Sequence, residues 1–135
     1  MGIEKGEYDM ILVDSNILID YYRDRKSELA RKIDSMQIAI CGVVKSEVLH
    51  GVKSNEEVDN ILASFTTFDL LHTDEYDFEG VGLILKTLRE NGLTVPLTDA
   101  MIAFSAMKYD IPLWTQDGHF RLIQGLYPEL TLYNL

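Results

Sequence analysis

The sequence predicts an α/β fold, one domain built on a central, mostly parallel β-sheet flanked by helices on both faces. Three observations predict it. Short apolar runs alternate with longer amphipathic segments along the chain, and such alternation favours a parallel sheet joined by right-handed crossovers. The segment from Ala100 to Tyr109 is apolar almost all round, as a helix packed centrally must be. The 135 residues, 47% of them hydrophobic, can bury about two-thirds of the surface that the unfolded chain exposes, enough for one core and not two.

Taken in order, Met10 to Val13 forms the first strand-like run, and Asp14 then leads into a helix beginning near Asn16. Leu29 with Ile33 marks one helical stripe, and Gln37 to Val44 a second strand. Val58, Ile61, Leu62 and Phe65 recur at i, i+3, i+4 and i+7, the spacing of a helix with one face on a core. Phe68 to Leu71 is a third strand, and Phe78, Val81, Leu85 and Leu88 give another apolar stripe. Asn91 to Pro96 then ends that helix, with Gly92 at its C′ position, and Thr98 is placed to N-cap the apolar helix that follows. Ile111 to Thr115 and Leu130 to Tyr133 complete the set of strands. No linker, repeat or low-complexity stretch divides residues 1–135, which are expected to form one domain.

Composition narrows the function classes. No apolar stretch approaches the ~20 residues of a membrane span, and the opening GIEKGEYD lacks the basic and apolar regions of a secretory signal. A cytoplasmic protein is expected. The single cysteine, Cys41, excludes an internal disulfide, and its setting in QIAICGVV suits a buried strand. With 22 Asp and Glu against 12 Lys and Arg, the formal net charge is −10. That weighs against sequence-independent nucleic-acid binding, which relies on Lys and Arg, and the longest basic stretch here is Arg23 to Lys26. Bound divalent cations would reverse the potential locally, and charges more than ~8 Å away are strongly screened at physiological salt. A basic protein partner would be attracted.

Four acids stand at the ends of separate apolar runs: Asp14 in ILVDSNILID, Glu47 in VKSEVLHG, Asp99 in LTDAMIAFSA and Asp117 in LWTQDGHF. In open parallel sheets ligands bind beyond the carboxyl ends of the strands. Asp14 and Asp117 each follow a strand and so fall on one edge; Glu47 and Asp99 can face the same edge. Two carboxylates ~4 Å apart repel by roughly 4 kcal/mol at an effective dielectric constant near 20, so a fold that gathers several must protonate some or bind a cation. Hard oxygen ligands point to Mg²⁺ or Mn²⁺.

Each acid also has a structural reading. Asp99 after Thr98, and Glu47 after Ser46, would stabilise a helix N-terminus through its dipole. Asp14 would cap the helix near Asn16, and Asp117 with Gly118 would make a turn. Among other residues, Trp114 reads as core, and His50 and His72 as structural or surface residues without metal-ligand spacing. Tyr21, Tyr22, Arg23 and Arg25 read as a solvated helix face.

The order, spacing and flanks of the four acids resemble those of the PIN-domain nucleases, in particular the VapC-type toxin ribonucleases of toxin–antitoxin pairs. The likeness runs essentially end to end. The run D-S-N-I-L-I-D from Asp14 to Asp20 is similar to the family's first motif; Glu47 in SEVLHG, Asp99 in LTDAMIA, and Thr115, Asp117 and Phe120 in TQDGHF match the others. The chain departs where many relatives carry a further acid, a position held here by His119. His119 itself reads first as a structural or surface residue, and its motif also gives it a place from which to touch substrate.

The resemblance implies a metal-dependent endoribonuclease whose catalytic and metal-binding residues are Asp14, Glu47, Asp99 and Asp117, supported by Asn16 and Thr115. One or two Mg²⁺ or Mn²⁺ ions would polarise the scissile phosphate and activate water, with Glu47 binding a second ion or acting as a base. It further implies an RNA substrate, a homodimer and a cognate antitoxin whose basic tail suits an acidic surface. Alternatives are a catalytically latent PIN-like interaction module and an RNA-processing nuclease outside a toxin–antitoxin system. An aspartate-dependent phosphotransfer protein fits less well: a phosphatase of the haloacid dehalogenase type needs Asp-x-Asp where Asp14, Ser15 and Asn16 stand. Both it and a receiver domain need a Lys after a later strand, and none follows Lys108.

Overall fold

The computed structural model describes residues 10–133; the opening stretch expected to lack a signal lies outside them. Four parallel strands, β1 (Ile11–Val13), β2 (Ile38–Cys41), β3 (Asp69–Leu71) and β4 (Leu113–Trp114), are ordered β3-β2-β1-β4. Every residue of the central strands β1 and β2 is buried. Since successive side chains point to opposite faces, the sheet is covered on both sides, as expected for an all-parallel sheet.

Among the described residues seven helices fill the crossovers and follow β4: α1 (Ser15–Arg23), α2 (Glu28–Asp34), α3 (Gly42–His50), α4 (Asn55–Phe65), α5 (Asp77–Glu90), α6 (Leu97–Tyr109) and α7 (His119–Leu126). α6 is the central one, burying Ala100, Ile102, Ala103, Ser105 and Ala106 while touching α3, α5 and α7. Its approach to α5 depends on Gly80, where a Cβ would run into the Phe104 ring. The turn between them is a Schellman motif. Gly92 takes φ 77° at C′, its N–H bonds Arg89 O at 3.0 Å, and the Leu93 N–H bonds Leu88 O at 2.9 Å.

Several sequence expectations are corrected. The run from Gln37 to Val44 changes from strand to helix after Cys41, so Val43 and Val44 belong to α3; a buried helix and a buried strand have the same apolar signature over a few residues. Thr98 lies inside α6, whose N-cap is Pro96. Leu130 to Tyr133 makes only one parallel bridge, Leu113 to Leu132. Leu62 and Phe78 are exposed rather than core-facing. Tyr21 is buried and its hydroxyl donates to Asp34 Oδ1 at 2.6 Å, so that part of α1 is not a solvated face. Trp114 and Cys41 are core residues as expected, and burial pushes the Cys41 thiol up to about 11. Among the described residues no helix is long and apolar enough to cross a membrane.

Candidate metal centre

β1 and β4 are adjacent and parallel, so the residues that follow them emerge side by side. Asp14 is buried, and its extended backbone, φ −77° and ψ 162°, makes it the N-cap of α1. Both carboxylate oxygens are held. Oδ1 accepts from the Ser15 N–H at 2.7 Å; Oδ2 accepts from the Thr115 hydroxyl at 2.7 Å and the Asn16 amide at 3.2 Å. The structural reading of Asp14 as a cap is thus correct, and the cap is also the first residue of the acid cluster. Thr115 continues the chain of bonds, because its Oγ1 accepts from the Asp117 N–H at 3.0 Å.

Asp99 lies in the first turn of α6 and is buried. Its Oδ2 and Asp117 Oδ1 each lie 3.4 Å from His119 Nδ1, and one ligand atom from each of Asp99, Asp117 and His119 falls within 4.8 Å of the others. Glu47 lies past the first turn of α3, so its role is not to complement that helix dipole. It comes close enough to Asp14 and Asp99 for both to raise its pKa. The four sequence-predicted acids therefore meet at one edge of the sheet, with Asp99, Asp117 and His119 forming the tightest group.

The electrostatics follow from this crowding. Burial pushes the Asp14 carboxyl above its ordinary range, with Asp117 adding to the rise and the Thr115 hydroxyl opposing it. Burial likewise raises Asp99, helped by Asp117 and Asp14 and opposed by His119, and raises Glu47, opposed by the Ser15 hydroxyl. A divalent cation would relieve all three rises. The residues fit one: carboxylate oxygens dominate the donor set, and buried Glu47 Oε1 has no hydrogen-bond partner.

Sequence reasoning missed two contributors. Ser15 stands between Asp14 and Glu47, lowering the pKa of both. Gln116 ties the β4–α7 loop to α1: its N–H donates to Asn16 Oδ1 at 3.3 Å and its Nε2 to Asp20 Oδ2 at 3.0 Å. His50 and His72 are exposed and take no part in the cluster. A cleft of about 540 Å³ lined by Tyr21, Arg25, Gln37 and Asp69 sits toward the opposite edge, where β2 and β3 begin, and contains none of the four acids.

The model of the PIN domain family matches residues 11–126, from the start of β1 to the end of α7. The chain belongs to the PIN domain family. This PIN domain is 30% identical over 125 residues to ribonuclease VapC1 of Methanocaldococcus jannaschii, a span of 90% of this chain and 86% of that protein. Its fold is shared with VapBC2 of Rickettsia felis bound to a DNA fragment from the promoter, at a TM-score of 0.78 and 21% identity, covering 93% of this chain and 98% of that one. It is also shared with DNA-bound VapBC of Salmonella typhimurium, at 0.76 and 19%, covering 91% and 96%. VapBC-1 of nontypeable Haemophilus influenzae gives 0.74 and 19%, again covering 91% and 96%.

Proposed function

We propose that this PIN domain is a metal-dependent endoribonuclease and the toxin of a type II toxin–antitoxin pair. The observation that carries the reading is the meeting of Asp14, Glu47, Asp99 and Asp117 at one sheet edge, with Asp99 and Asp117 converging on His119. The relative named as a ribonuclease, VapC1, supports the activity, and the VapBC likenesses support an antitoxin partner.

Bound Mg²⁺ or Mn²⁺, as one ion or two, supplies polarisation of the scissile phosphate and a water of lowered pKa. Asp99 and Asp117 would hold the cation, with Asp14 beside them. Thr115 and Asn16 fix the Asp14 carboxylate from outside the cluster, and the bond from Thr115 back to the Asp117 N–H couples the two strand ends. Glu47, with a raised pKa and an unbonded oxygen, would accept the proton of the attacking water or take a second ion. His119 bridges Asp99 and Asp117 and sets their spacing. Hydrolysis by this route needs no side-chain nucleophile. A homodimer, a basic antitoxin tail drawn to the acidic surface and a cytoplasmic setting complete the reading.

The test is cleavage of a panel of tRNAs and rRNA fragments in Mg²⁺, Mn²⁺ or EDTA, beside Asp99→Asn. Metal-dependent cuts at defined sites, lost in the variant, are expected. Folded, metal-bound protein that cuts none of them would favour a latent interaction module.

A further inference from the structure

A small cleft of about 100 Å³ adjoins the acid cluster and shares Thr115 and Asp117 with it. Gly118 and Arg121 line the α7 side. Tyr133 lines the other side, held there because its N–H donates to Leu113 O at 2.8 Å. The cleft is well below the ~300 Å³ of an ordinary small-molecule pocket, a size that suits one compact anionic group.

Arg121 is the basic residue of the cleft, whose lining also includes the acidic Asp117. Arg23 pairs with Asp20 at 3.2 Å, Arg25 lies 4.2 Å from the centre of the Tyr21 ring, and Arg31 donates to Lys26 O at 3.3 Å. The exposed side chains of Arg89 and Arg121 make no such contact among the described residues, and of the two Arg121 lines the cleft beside the acid cluster, although the chain carries a net charge of −10. Its planar fork of donors matches a phosphate better than a lysine ammonium does. We propose that Arg121 and this cleft bind the RNA backbone phosphate next to the scissile one, placing the strand across the acid cluster. This rests on the ribonuclease reading and adds a substrate contact to it. It also gives an acidic protein a local cation for an anionic substrate.

The experiment compares wild type, Arg121→Gln, Arg121→Lys and a charge-matched Lys26→Gln control beyond the far end of α1. Cleavage kinetics are measured on an RNA that the wild type cuts. In parallel, binding of that RNA, or of a mixed-sequence single strand if none is cut, is measured against salt in an Asp99→Asn background. Losing one charge-assisted contact should raise KM about ten-fold in Arg121→Gln with kcat little changed. Arg121→Lys should recover part of the loss, and Lys26→Gln should match wild type. The salt slope of binding should fall by about 0.7 in Arg121→Gln, the value for one single-strand phosphate, a change that altered packing would not produce. Unchanged KM and salt slope in Arg121→Gln overturn the subsite. Absence of cleavage by wild type would instead overturn the ribonuclease reading, while the binding arm still decides whether Arg121 holds a phosphate.

Discussion

The Thr115 hydroxyl donates to Asp14 Oδ2 at 2.7 Å although the residues are 101 positions apart. Their strands, β1 and β4, are neighbours, so this bond joins the carboxyl ends of two strands far apart in sequence at the acid cluster. It also opposes the rise in the Asp14 pKa that burial produces.

Thr115→Val, which keeps the branched shape and removes the hydroxyl, should therefore raise the Asp14 pKa further and loosen the Asp117 N–H. A hydrogen bond to a charged group contributes about 1.5–3 kcal/mol, so kcat/KM should fall roughly ten- to hundred-fold. The pH profile of Mn²⁺ binding should lose its acid side at higher pH than in wild type, as protons compete better for Asp14, and Thr115→Ser should restore it. A profile that falls in height without moving along the pH axis would count against this role.

Stability should depend on pH in two separate windows. Asp14, Glu47 and Asp99 have raised pKa values in the folded chain, so without metal the fold binds more protons than the unfolded chain. Stability should rise as pH falls from 7 through those raised values, and the gain should be complete below the unfolded value of about 4. Asp77 behaves oppositely. Lys108 Nζ lies 2.7 Å from its Oδ2 and holds its pKa low, so that contribution is present above the ordinary value and lost as pH falls through the lowered one. Thermal melts from pH 7 to pH 3 in EDTA should show a rise and then a fall. Mn²⁺ should increase Tm at pH 7 and flatten the rise; a monotonic decline from pH 7 in EDTA would contradict the assignment.

Asp99→Asn should abolish cleavage and yet melt higher than wild type in EDTA at pH 7. Removing one charge from a crowded, buried group should gain about 1 kcal/mol, or roughly 3 °C. Lower stability in EDTA would show that Asp99 is structural rather than strained.

Much of this was legible in the sequence. Asp14 and Asp117 could be placed together because each follows an apolar run, and parallel strands put their carboxyl ends on one edge. Ser15, Gln116 and the bridging position of His119 could not. The bond from Gln116 to Asp20 spans 96 positions, and side-chain bonds of that kind leave no period in the chain. The β2–α3 boundary failed for a local reason, since Cys41, Val43 and Val44 are as apolar in helix as in strand. Leu62 and Phe78 show the limit of periodicity: both fit a helical stripe, but both are exposed in the folded chain.

Gly80→Ala should destabilise the fold. Alanine gains about 1 kcal/mol in helix propensity over glycine, but its methyl would meet the Phe104 ring, and overpacking costs about 1–3 kcal/mol. A net loss of Tm is expected, relieved when Phe104→Leu is added. A Gly80→Ala single variant that melts above wild type would show that the half-buried Phe104 ring turns aside at little cost.

The central claim is that these acids form one divalent-cation site, and the most direct test is Mn²⁺ binding followed by electron paramagnetic resonance of the free ion at pH 7. Wild type should remove one or two Mn²⁺ per chain from solution, with binding sharply weakened in both Asp14→Asn and Asp99→Asn. Equal uptake by wild type and the two folded variants would contradict the account.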